Sequence, residues 1–208
     1  MIASESARLL FVHVQKTGGS TVENWLKEVT PDARRVPGCH RHAGLGPLLI
    51  AEPGLSTHLV LGVVRNPWSR MLSWHRMVRR WVAEVPDGEP LTALAHFRGD
   101  VFARRVALEL PDFEDFVMRG TLEIPRLGRP QLAYLEAPGR SADVICHQET
   151  LDDDLRAVAT RCGLPAHTGE RWNTDDERVD YRAAYTPAMR DRVGEVFARD
   201  VEAFGYDF

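Results

Sequence analysis

The sequence predicts an α/β domain with a central, mainly parallel sheet flanked by helices. Two observations carry that prediction. Short apolar runs rich in β-branched residues alternate with longer stretches whose apolar residues recur at helical spacing. Glycine, proline and hydroxyl residues punctuate the boundaries between them. At 208 residues the chain suits a single domain, residues 1–208, with a sizeable core.

The elements follow in order. "RLLFVHV" reads as a buried strand that runs into the glycine turn "QKTGGST". "STVENWLKEV" is helical, with Val22, Trp25, Leu26 and Val29 on one face. "HLVLGVV" is a second strand. Asn66 and Pro67 then supply an N-cap and a first-turn proline for a helix carrying Met71, Trp74, His75, Val78 and Val82. From about residue 82 to 142 the pattern is less regular. Its clearest helix is "DFEDFVMRG", capped by Asp112 and stopped by Gly120. "ADVICHQ" is a third strand. In "TLDDDLRAVATRCGLP", Thr150 and Asp153 form a capping box, Leu151, Leu155, Val158 and Cys162 form the stripe, and Gly163 and Pro165 end the helix. "TPAMRDRVGEVFARDVEAF" is read as one last helix, with Met189, Val193, Phe197, Val201 and Phe204 inside.

Composition narrows the function. A net charge of −4 gives no global basic field for nucleic acid. No apolar run approaches the roughly 20 residues that span a bilayer. Glu5 and Arg8 interrupt any leader-like start, and the three cysteines, Cys39, Cys146 and Cys162, form no disulfide framework. The expectation is a soluble, cytoplasmic protein without a membrane partner.

Parallel sheets bind ligands at the C-terminal ends of their strands. Two candidate elements fall there. In the first loop, Gly18 and Gly19 allow a sharp turn and close approach of backbone to a ligand. The new helix offers unpaired N–H groups, Ser20 and Thr21 add hydroxyls, and Lys16 adds a full charge, together favouring phosphate or sulfate. It is not a Walker A loop, because Lys16 precedes the glycines. A capped strand-to-helix turn with a solvated lysine is the plain alternative from the loop alone. The second element is "VVRNPWSRMLS". Arg65 leaves an apolar strand, where a charge is costly unless it faces a partner, and Ser73 lies two turns into the following helix. A local salt bridge and a solvent-facing serine are the plain alternative.

Together these motifs resemble the cytosolic and Golgi sulfotransferases that use 3′-phosphoadenosine 5′-phosphosulfate (PAPS). The likeness is greatest to the carbohydrate-type branch with its "PKTGGT" loop, and spans most of the chain. "HQETLDDDLRAVATRCGLP", "RWNTDD" and the ending "YRAAYTPAMRDRVGEVFARDVEAFGYDF" resemble later family segments. Gln15 stands where the family usually has proline. The resemblance implies a P-loop-like three-layer domain. It places Lys16, Thr17, Gly18, Gly19, Ser20 and Thr21 at the 5′-phosphosulfate, and Arg65 and Ser73 at the 3′-phosphate. The product would be adenosine 3′,5′-bisphosphate and the acceptor a sugar or small metabolite.

Transfer to a hydroxyl needs a base, and histidine is the natural one near neutral pH. In related sequences a histidine between the first helix and second strand is the proposed base. His42 in "CHRHAGLG" is the better match, with His40 as the alternative. His40 and Gln131, the latter in "GRPQLAYLE", are also candidate acceptor contacts, and residues 82–142 the expected pocket wall or lid. Lys16 would double as a catalytic group at the leaving phosphate. His13, among strand residues, reads as a satisfied core histidine, and His75, beside Trp74, as structural. No cysteine–histidine spacing matches a standard zinc site. A nucleotide-dependent phosphotransferase and a non-catalytic nucleotide binder remain as alternatives.

Overall fold

The computed structural model describes residues 1–169 and 180–208, so "RWNTDD" lies outside the described residues. The elements run β1 (Ile2–Ser4), β2 (Leu9–Val12), α1 (Gly19–Val29), α2 (Leu45–Ala51), β3 (Leu59–Val64) and α3 (Pro67–Ala83). Then come α4 (Val101–Glu109), α5 (Phe113–Met118), α6 (Gly120–Glu123), α7 (Pro125–Gly128) and α8 (Leu132–Leu135). The chain ends with β4 (Glu136–Ala137), β5 (Arg140–Ser141), β6 (Val144–His147), α9 (Leu151–Cys162), α10 (Pro187–Val196) and α11 (Ala198–Phe204). This is an α/β fold. It groups into two compact units, Met1–Arg65 with Gln131–Arg178, and Asn66–Pro130 with Val179–Phe208.

The first unit holds a four-stranded sheet in the order β1-β2-β3-β6. β2, β3 and β6 are parallel, with Val12 opposite Gly62 and Val63 opposite Cys146, while β1 adds an antiparallel edge. Alternate residues Leu9, Phe11, Leu61, Val63 and Cys146 meet Val22, Trp25 and Leu26 of α1 and Leu151, Leu155 and Val158 of α9 in one core. Leu10, Val12 and Val60 are also fully buried, so the strands are covered on both faces, as their unbroken apolar runs require. On Gly62 an added Cβ would lie 2.5 Å from Leu135 Cδ2, so that leucine packs directly on the backbone of β3.

The second unit is helical. Trp68, Met71, Trp74 and Val78 of α3 share a core with Val106, Phe116, Leu127, Met189, Val193 and Phe197. Asn66 caps α3 as its type predicts, its Oδ1 accepting from the N–H groups of Trp68 (3.1 Å) and Ser69 (3.2 Å). No described helix is long and apolar enough to cross a membrane.

Several local expectations are corrected. The irregular segment is largely short helices, α4 to α8. Gly120 does not end the "DFEDFVMRG" helix; it opens α6 directly after Arg119. At α9 the capping box does not form: the Thr150 hydroxyl donates to Asp154 (3.1 Å), Asp153 pairs with Arg156, and Asp154 also accepts from His147 N (2.7 Å). The last helix is two, because Phe197 leaves helical geometry at φ −108°, ψ 25°. Apolar periodicity does not register such a break, since Phe197 stays buried in the same core.

Candidate anion-binding site

The loop after β2 is built by two unusual conformations. Lys16 has φ 66° and Gly18 φ 82°, both left-handed. For lysine that conformation costs about 1 kcal/mol or more, a strain that collects at functional turns. The Thr17 hydroxyl, fully buried, donates to Val14 O (3.0 Å) and closes the loop from inside. Gly19 opens α1 so close to His13 that an added Cβ would sit 2.3 Å from its Cδ2. Gly18 is the N-cap of α1 and makes no side-chain cap bond, and no acidic residue lies in the first turn. Unlike a start capped by a side chain, this one leaves the Gly19 and Ser20 amides to a ligand or water. Thr21 is buried and its N–H donates to Gly18 O (3.0 Å); Ser20 is half-buried.

Parallel pairing brings the ends of β2, β3 and β6 to one edge of the sheet, so the Lys16 loop, Arg65 and Gln148 are placed there. Arg65 is half-buried. Its backbone is clamped on both sides by Gln131, whose Oε1 accepts from Arg65 N (2.9 Å) and whose Nε2 donates to Arg65 O (2.8 Å). Gln131 is itself fully buried, so what the structure gives it is a strut under Arg65. Ser73 is buried on α3 in the second unit.

The histidines fall into distinct environments. His75 is buried, and its Nε2 bonds Pro111 O at 2.9 Å, a structural role. His13 is buried, with Nδ1 2.9 Å from Glu23 Oε1, a satisfied core histidine at the floor of the loop. His42 is half-buried and its Nδ1 lies 3.0 Å from His13 O. A carbonyl only accepts, so Nδ1 carries the proton and Nε2 keeps its lone pair. The His42 ring stands edge-on to the His13 ring at 4.6 Å. His40 is exposed; its Nδ1 accepts from His42 N (3.1 Å).

Burial pushes His13 down to about 4. Burial, then repulsion from His13, pushes His42 down to about 3. Both rings are neutral at pH 7. Glu23, also buried, has the opposite problem. Burial raises its pKa, but hydrogen bonds from His13, Arg41 and the Met1 amine outweigh this and hold the carboxyl below the usual range. Arg41 donates to Glu23 through Nε (3.0 Å) and to Ser20 Oγ through Nη2 (3.1 Å).

Glu23 and Arg41 are the residues that motif reading missed. The available signal was Glu23 itself: positions 19, 22, 23 and 26 share one helix face, and a carboxylate on that buried stripe demands partners. Among the described residues no group of three or more His, Cys, Asp or Glu could hold a metal ion. Comparison with known proteins adds nothing further: no family model, no curated protein and no solved structure matches the chain.

Proposed function

We propose that the chain is a PAPS-dependent sulfotransferase on a P-loop-like scaffold, acting on a hydroxyl or amine of a sugar or small metabolite. One observation carries the reading. A strained lysine loop enters a helix with no side-chain cap, at the same sheet edge as Arg65. That donor set fits an anion: amides, hydroxyls and two cationic side chains, with no carboxylate in the first turn of α1.

When bound, PAPS supplies an activated sulfuryl group on a phosphate leaving group. Lys16 and the leading amides of α1 hold the 5′ end and stabilise charge as it develops on the departing phosphate oxygen. Arg65, kept in place by Gln131, takes the 3′-phosphate. His42, fixed in its Nδ1–H tautomer, receives the acceptor's proton at Nε2 as the acceptor oxygen or nitrogen bonds to sulfur. Its depressed pKa keeps it unprotonated in the free protein, and an anionic ligand nearby raises its proton affinity.

Titration calorimetry with adenosine 3′,5′-bisphosphate tests the reading. Binding is expected, and Lys16→Ala and Arg65→Ala should each weaken it about 10-fold or more, the usual scale for a charge-assisted bond. His42→Ala should abolish transfer of labelled sulfate and leave affinity within about 3-fold. Absence of bisphosphate binding to the unaltered protein, or turnover of ATP with Mg²⁺ in its place, would overturn it.

A further inference from the structure

We infer that Glu23 is a positioning residue that locks the His42 base to the anion loop. The inference deepens the sulfotransferase reading and rests on it for its catalytic consequence. Its geometry stands on four bonds. Glu23 Oε1 takes His13 Nδ1 (2.9 Å) and the Met1 amine (2.7 Å); Oε2 takes Arg41 Nε (3.0 Å) and Nη2 (2.7 Å).

Each of the two side-chain partners leads one bond further to the candidate chemistry. From His13 the next link is its own carbonyl, which accepts from His42 Nδ1 and so sets the tautomer of the base. From Arg41 the next link is the Ser20 hydroxyl in the first turn of α1. Arg41 is also the chain neighbour of His42, so anchoring its guanidinium anchors the segment that carries the base. His13 adds a second hold on the loop, since its ring fills the space a Cβ on Gly19 would need. One carboxylate on α1 therefore ties together the end of β2, the histidine segment and the start of the anion-binding helix. The groups that surround His42 electrostatically are His13, Arg41 and the Met1 amine, with His40 ring-to-ring at 5.6 Å.

A buried carboxylate that served only stability would not act on His42. Glu23→Gln separates the two roles, because it keeps the shape and one acceptor but removes the charge that holds Arg41. Nitrogen-detected NMR of the imidazoles should show His13 and His42 of the unaltered protein as neutral Nδ1–H tautomers at pH 7. In Glu23→Gln the His42 signals should move towards the average of the two tautomers. Transfer kcat should fall about 10–100-fold, the usual scale for losing an orienting partner, with bisphosphate affinity within about 3-fold. Glu23→Asp should recover part of the loss.

Arg41→Gln is the second variant, since Arg41 is only partly buried and its loss leaves the His13–Glu23 pair intact. It should shift the His42 signals in the same direction and lower kcat about 3–10-fold. Unchanged His42 nitrogen shifts in a folded Glu23→Gln protein would overturn the inference; if that variant does not fold, unchanged shifts in Arg41→Gln would do so. A protein that binds no bisphosphate yet shows the NMR coupling would instead remove the donor reading and leave the Glu23–His42 linkage standing.

Discussion

Gly19 shows how a single missing methyl group shapes the loop. A Cβ here would run into the His13 ring, and that ring is pinned by Glu23, so it cannot give way cheaply. Gly19→Ala is expected to lower stability by about 2–3 kcal/mol and to weaken bisphosphate binding, as read by denaturant titration and calorimetry. Gly54→Ala is the control. It has open space and an ordinary φ, and should change stability by no more than about 0.5 kcal/mol. Lys16 is the other residue with a conformational burden. Its left-handed φ sits at a turn where glycine would be easier, and strain of that kind is retained where the surroundings enforce it.

Between elements, the junction of β3 with α8 matters most for the proposed 3′-phosphate contact. Leu135 packs on Gly62, and Gln131 clamps the Arg65 backbone from the start of the same short helix. A four-residue helix has little stability of its own, so these contacts with β3 hold it in place. Gln131→Leu removes a partner from both the N–H and the C=O of Arg65. A loss of about 2 kcal/mol is expected. A fall in bisphosphate affinity should accompany it, because Arg65 would no longer leave the strand at a fixed angle.

Across the whole molecule, the His13–Glu23–His42 cluster makes the fold acid-sensitive. The folded-state values of both histidines are depressed from the ordinary 6.5, to about 4 and about 3. Below pH 6.5 the unfolded chain therefore binds more protons than the folded one. Their contribution is complete above that pH and is lost as pH falls towards 4 and then 3, and Glu23, also depressed, adds to the loss lower still. Between pH 7 and pH 5 each histidine accounts for about 2 kcal/mol, so a loss on the order of 4 kcal/mol is expected. That corresponds to a Tm lower by about 8–16 °C in a scanning calorimeter. A Tm that rises on acidification would contradict the neutral state of both rings.

Apolar runs, helical periodicity and the residues that punctuate them located β2, β3, β6, α1, α3 and α9, because each buries its apolar surface locally and the sequence pattern records that burial. It also placed the Lys16 loop and Arg65 at strand ends, where a parallel sheet puts them on one edge. Sequence could not reveal β1, three residues long and defined by pairing with β2, nor the break at Phe197, which keeps its side chain in the core. Nor could it show that Asp154 would accept from both the His147 N–H and the Thr150 hydroxyl, leaving α9 without a capping box. The same holds for the Glu23 hub. His13, Glu23 and Arg41 are far apart in the chain, and only the folded backbone brings their polar atoms within hydrogen-bonding distance. Residue type and spacing set where charge and apolar surface lie; which charges meet is decided by tertiary packing, since a buried carboxylate must find its partners in space and not in sequence.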